Sequence, residues 1–386
     1  MVQVKIMVSK NVLIAAVAAL VIVASVGLIL TIETEAKEPK IVILAQVNSE
    51  GSAIFVKNDI DSVEDMKGKV FATPGEASIQ HMILMNFVKD AGIKWAIAPG
   101  SGQSKASDTV YWTEIAPANM KGAFKEQLIQ GGIAWEPFNS DIVLDPTVTE
   151  AKILVWSDEL IPAHPCCVVA ANAKFVENNP ETIEKFLAAH VLATQWIVDT
   201  LADDTSANYT LMIDMGAKFA ERPAAVVEES LKHVTFNSSI EQDWKDSLEM
   251  IVDTYISLKM IGSMSSIGFD NSTSFVDAIV NETYLQNSAS VVIADPADDL
   301  VDVRVGWLRG DVHQMARLVA MNETVGQGFG FGDRTIFEAY GLNIVPGAGN
   351  EYANGGAVYT AFEADLIDIG MLGAPPAILR TANSLA

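Results

Sequence analysis

Apolar positions along the chain follow two periods. Short runs such as IVILAQV (41–47), SAIFV (52–56), KVFAT (69–73), AKILVW (151–156) and CCVVAA (166–171) read as buried strands. Near the end, Val303, Val305 and Trp307 alternate with Arg304 and Gly306, and DLIDIGMLG supplies another strand. Between such runs the spacing is helical. Ile79, Met82, Ile83, Met85 and Phe87 predict a helix from Ala77 or Ser78 that Gly92 stops. Ser62 with Asp65 three positions on predicts a capped short helix. A strand around Val110–Ile115 leads to a helix from Pro117 to about Gln130, and a short strand then delivers Trp135, Glu136 and Pro137. From Pro180 onward the pattern is helical almost to residue 290, with breaks at Asn208, Arg222-Pro223 and Phe236–Ser239. Strands alternating with helices predict an α/β protein. The chain ends on a fresh strand, the loop GAPPA and half a helix, so the rest of that last domain must lie elsewhere in the sequence.

The amino terminus differs. Val12 to Thr31 are twenty uncharged residues, and at about 1.5 Å rise they match a bilayer core of about 30 Å. Lys5 and Lys10 precede them, and Glu33 and Glu35 follow. That asymmetry predicts a single-pass anchor in the cell membrane, with the tail in the cytoplasm and the body extracytoplasmic. A cleaved signal is the alternative. Five N-x-S/T sequons, at Asn208, Asn237, Asn271, Asn281 and Asn322, are compatible with an outside location.

Charge narrows the function. The 386 residues carry 25 basic and 49 acidic side chains, a formal charge of −24, which argues against nucleic acid as a partner. A local pocket can still oppose that field and take a small anion. Cys166 and Cys167 are the only cysteines. Two reduced, buried small residues are expected, a strained disulfide between neighbours being the other choice, and no metal site is expected. His81, His164, His190, His233 and His313 show no short-range pairing, and His190 on an apolar helix reads as a core histidine. No Walker A, dinucleotide fingerprint, HExxH or GxSxG pattern occurs, so no enzyme activity and no cofactor are expected.

DMKGKVFATPGEASIQHMIL, HPCCVVAANAKFVENNPETIEKFLAAHVLATQWI and FEADLIDIGMLGAPPAIL together resemble the solute-binding proteins of ABC importers, in the nitrate/sulfonate/taurine family related to the thiamine-pyrimidine-synthesis fold. The resemblance covers most of 38–200 and 302–386, but in swapped order. It implies a bilobed α/β fold of the type II periplasmic-binding-protein kind, circularly permuted, with the N-terminal transmembrane helix added. The implied divisions are a tail, anchor and tether (1–37), lobe one (38–70 and 302–386, with helices from 200–290), lobe two (71–190), a helical region (191–290), and a linker (291–301) joining the family's usual ends.

Ligands in such sheets sit beyond the carboxyl ends of strands. The resemblance therefore implies one cleft wall from Trp307, Gly310, Asp311 and His313, from Ala374, Pro375 and Pro376, and from Ser49, Gly51 and Ser52. The facing wall is Gly75, Glu76, Ala77 and Ser78 with Trp135 and Glu136, and Cys166 lies where the chain re-enters the hinge. Amides at 51–52 and 77–78 would suit an oxyanion, and Trp135 and Trp307 would stack on the ligand. No Arg stands in this set while Asp311, Glu76 and Glu136 do, which favours a taurine-like zwitterion or nitrogenous compound over nitrate. A Gly-rich insertion (Gly326, Gly328, Gly330, Gly332) is expected near the cleft. The implied function is delivery of a small polar solute (a sulfonate, a taurine-like zwitterion or a related nitrogenous compound) to an ABC permease and its ATPase. The alternatives are a stand-alone ligand-sensing surface protein and, less well supported, a pyrimidine-synthesis-type enzyme.

Overall fold

The computed structural model describes residues 38–386 apart from Ser101, and residues 39–386 form one compact unit. Its strands, in chain order, are β1 (Ile41–Gln46), β2 (Asn48–Glu50), β3 (Ser52–Lys57), β4 (Val70–Thr73), β5 (Lys94–Ile97), β6 (Thr109–Glu114), β7 (Gly131–Trp135), β8 (Ala151–Trp156), β9 (Cys167–Asn172), β10 (Val234–Phe236), β11 (Val301–Leu308), β12 (Leu342–Tyr352) and β13 (Ile369–Gly373). Six helices matter for the site: α1 (Ile79–Asp90), α2 (Pro180–Leu201), α3 (Ala207–Ala220), α4 (Gln242–Ser257), α5 (Gly355–Glu363) and α6 (Ala374–Leu385).

Two sheets divide the body. The first runs β1-β9-β13-β11-β12 and the second β5-β6-β4-β7-β3-β8. Each sheet has one reversed strand next to an edge, β9 in the first and β3 in the second, antiparallel to both neighbours. These are the strands by which the chain enters each lobe. The period-2 alternation of β9 explains its burial on both faces. Cys167, Val169 and Ala171 pack with α2, α3 and the first residues of β11, while Val168 and Ala170 face α4, α5 and α6. A smaller cluster around Phe55, Ala72 and Phe124 closes the outer face of the second sheet.

The chain crosses between the sheets twice, and the crossings pair with each other. The Val47 amide donates to the Cys167 carbonyl (2.9 Å), Cys166 to Asn48 (3.3 Å) and Glu50 to His164 (3.2 Å). β10 adds a third strand by pairing with β2.

Several expectations change here. β3 pairs in the second sheet, so lobe two begins near residue 52 rather than 71. β9 and the start of α2 belong with the first sheet, so lobe two ends before 167 rather than at 190. The entering strand, not the preceding turn, sets each boundary. The Gly-rich segment is two short helices, Glu323–Gly328 and Ile336–Ala339, whose Val325, Ile336 and Phe337 pack into the first lobe. Phe337 stacks on Phe186 of α2 at 5.0 Å. It is core packing, not a cleft insertion.

The anchor expected at 12–31 falls outside the described residues. Among those residues no helix is long and apolar enough to cross a membrane. α2 is the longest described helix we label, and it is lined by Glu181, Glu184, Lys185 and Asp199 on its outer side. The fold class is thus corrected to a bilobed α/β body without a membrane-crossing helix among the described residues. The single-pass topology and membrane partnership lose their support with it.

Candidate functional site

The carboxyl ends of strands from both sheets converge on a cavity of about 500 Å³. Three helix starts open onto it. α1 is capped by Ser78, whose Oγ accepts from the His81 amide (3.1 Å) and donates to the Gly75 carbonyl (2.7 Å). α5 is capped by Asn354, whose Oδ1 accepts from the Ala357 amide (3.0 Å). α6 starts on Pro375 and Pro376 directly after β13. First-turn amides have no partner inside a helix, so the α1 and α5 ends give the cavity a positive bias, whereas in α6 Pro375 and Pro376 carry no N–H and the Ala374 amide is taken by the Cys166 carbonyl.

The charged side chains around it are of both signs. Glu76 and Glu114 lie on the second-lobe side, with Gly75 pressed against Glu114: a Cβ at Gly75 would stand 3.1 Å from the Glu114 carboxyl carbon. Arg380, nearly two turns into α6, faces them from the first lobe. Its guanidinium makes no hydrogen bond or ion pair among the described residues. Trp112 and Trp135 supply apolar walls.

The floor is a cluster of buried polar groups. Cys166 Sγ lies 3.3 Å from His313 Nδ1, and His313 Nε2 donates to the Gly51 carbonyl at 3.2 Å. Asp311 Oδ1 accepts from the His313 amide (3.0 Å) and sits 3.6 Å from Nδ1. The Cys167 thiol points to Asp311 Oδ2 at 3.9 Å. Both cysteines are free. The hydrogen bond from Cys167 holds the Cys166 thiol well below its ordinary range, helped by His313 and opposed by burial. Donating that bond, together with burial, pushes the Cys167 thiol up. Burial alone would lower His313, but the charges of Cys166 and Asp311 outweigh it and lift the ring to about 9. Burial likewise raises Asp311 to about 6. Both shifts run the same way, Cys166 toward easier loss of its proton and His313 toward holding one. Cys166, Cys167 and His313 place one donor atom each within 4.8 Å of one another, an arrangement that can hold a metal ion.

Of the residues read from the sequence, Gly75, Glu76, Ala77, Ser78, Trp135, Cys166, Asp311, His313, Pro375 and Pro376 line this cavity. The others do not, each for a visible reason. Trp307 lies beneath the Arg317 guanidinium, 3.9 Å from its ring, so its face is taken. Gly310 borders a second, wider cavity with Arg309, Arg317 and Lys218. Ala374 is buried and donates its amide to the Cys166 carbonyl at 2.7 Å. Ser49 belongs to the crossing ribbon, and its hydroxyl donates to Gln46. Gly51 holds His313 from behind. The Ser52 amide donates to Ser157 Oγ (3.1 Å), so that amide is not free for an oxyanion. Glu136 is fully buried and pinned by Ser230 (2.7 Å), and burial raises its pKa.

Arg380, Cys167, Glu114, Trp112 and the Asn354–Gly356 helix start went unread in the sequence. The last had a signal: NGG before an apolar run is a helix start following a strand. Arg380 had one too, one turn beyond Pro376 on an amphipathic helix. The inference that no arginine serves the cleft is corrected by its position.

No curated protein matches. Solved structures similar to this chain include the ligand-binding component of an ABC-type import system from Staphylococcus aureus with zinc bound (16% identity, 65% of this chain, 75% of that one, TM-score 0.47). Another is the periplasmic nitrate-binding protein from Synechocystis PCC 6803 (16% identity, 67% and 69%, TM-score 0.48). A third is the periplasmic aliphatic sulphonate-binding protein from Escherichia coli (19% identity, 57% and 65%, TM-score 0.42). The model of the NMT1-like family matches residues 10–211, more than half of the sequence, and the chain therefore belongs to the NMT1-like family.

Proposed function

We propose that this protein is the solute receptor of an ABC importer, a binding protein rather than an enzyme, and that its solute is a small zwitterion of the taurine type. One observation carries the reading. A cavity between two lobes sets Arg380, which has no ion-pair partner among the described residues, and the starts of α1 and α5 against Glu76 and Glu114. An anionic head would meet the guanidinium and the helix amides, and an ammonium group the carboxylates. A simple anion such as nitrate would leave both carboxylates facing like charge. Two lobes joined by a paired crossing suit hinge closure on the solute, and the closed form would be what a permease recognises.

Isothermal titration tests the reading. Taurine should bind more tightly than an alkanesulfonate of equal length, a simple amine or nitrate. Arg380→Ala should weaken it at least tenfold, about 1.4 kcal/mol. Absence of heat with every member of that series would sink the assignment.

A further inference from the structure

The floor of the cavity carries chemistry that binding a zwitterion does not use. We propose that Cys166, Cys167 and His313 form a site for one thiophilic divalent cation, of which Zn²⁺ is the type, with its remaining coordination position turned to the cleft.

The geometry is close to what such an ion requires. Tetrahedral ligation with Zn–S about 2.3 Å and Zn–N about 2.0 Å sets sulfur and nitrogen about 3.5 Å apart. Cys166 Sγ and His313 Nδ1 are 3.3 Å apart, and all three donor atoms lie within 4.8 Å of one another. The donors are already oriented. His313 Nε2 donates to the Gly51 carbonyl, which leaves Nδ1 as the atom presented to the cysteines. That is the outer-shell bond by which ligating histidines are held in place. It is enforced from behind, since a Cβ at Gly51 would lie 2.3 Å from Nε2. Asp311 is held by the His313 amide and by Gln314 Nε2 (3.3 Å) and offers its carboxylate beside Cys167. Two thiolates and an imidazole select a soft or borderline ion over Mg²⁺ or Ca²⁺. All three ligands also line the cavity, so an ion bound there keeps an open face toward the cleft. Each ligating thiol, and the ring at Nδ1, gives its proton to solvent as the bond to the metal forms; nothing is oxidised or reduced.

The test needs no solute, so its outcome is separate from that of the receptor reading. The full chain, reduced and freed of metal by chelation, is titrated with Co²⁺ and followed by absorption. One equivalent should bring up a thiolate-to-cobalt charge-transfer band and tetrahedral visible bands, and Zn²⁺ should abolish both. Cys166→Ser and Cys167→Ser should each weaken Co²⁺ binding at least tenfold. A cobalt spectrum without the charge-transfer band overturns the proposal, as does a band that survives both serine changes. The unaltered protein gives a second check should those variants fold poorly. Zn²⁺ should slow modification of the two thiols by an aromatic disulfide at least tenfold, and an unchanged rate overturns the site.

Discussion

Gly51 shows how much one residue can fix. Its φ of +78° favours glycine, and its missing Cβ is the space His313 occupies. Gly51→Ala should lower stability by roughly 2 kcal/mol or more in urea unfolding, since strain and a close contact combine. His190 offers a pH test. It is buried in α2, its Nε2 donates to the Gln46 carbonyl at 2.8 Å, and burial holds its pKa down to about 4 from an ordinary 6.5. The unfolded chain takes up a proton near 6.5 while the folded one resists. The contribution is thus complete above about pH 6.5 and is lost as pH falls toward 4. His190→Gln should reduce the fall in unfolding free energy across that window by about 3 kcal/mol, measured by urea melts at several pH values. His190 was legible in the sequence as a core histidine. The partnership of Cys166 with His313 was not, because 147 positions separate them and only the fold brings them together.

Helix starts carry most of the site at the scale of elements. Ser78→Ala removes the cap of α1 and the tie to Gly75, so thermal or urea unfolding should show a loss of about 1 kcal/mol. The same change should weaken solute binding, because the Gly75–Ser78 turn is part of the cavity wall. Unaltered affinity would mean that this helix start does not touch the solute. Periodicity placed these elements well: the helix expected from Ala77 or Ser78 to Gly92 is Ile79–Asp90, and the strand expected at Val110–Ile115 is Thr109–Glu114. Sheet membership was harder. SAIFV reads as a buried strand, but nothing within it says that its partners are β7 and β8 rather than the strand just before it. Pairing depends on where the crossing ribbon turns the chain, which is a long-range matter.

The order of elements in the whole molecule has its own consequence. β13 and β1 run in the same sense on either side of β9, and α6 follows β13 as a crossover helix would. Yet in the sequence β1 stands far ahead of α6. We infer that the two were once consecutive, so that the sequence is circularly permuted. A rearranged chain, with Ala386 joined to Pro39 by a short linker and new ends in the exposed 291–300 stretch, should fold with similar stability and bind the same solute. Failure of that chain to fold, as judged by circular dichroism and a cooperative melt, would remove the inference.

Tryptophans give the cleft an optical signature of its own. Trp95 and Trp112 stack with their rings 10° from parallel at 6.4 Å, and His81 meets Trp112 edge-on at 4.5 Å. Trp112 also lines the solute cavity, and Trp135 borders both cavities. Stacked indoles couple their strong transitions, so this pair should give a paired band of opposite signs in the far-ultraviolet dichroism. Occupancy of the cleft should then be visible without any label, as a shift in the emission of Trp135 and a change in that coupled band.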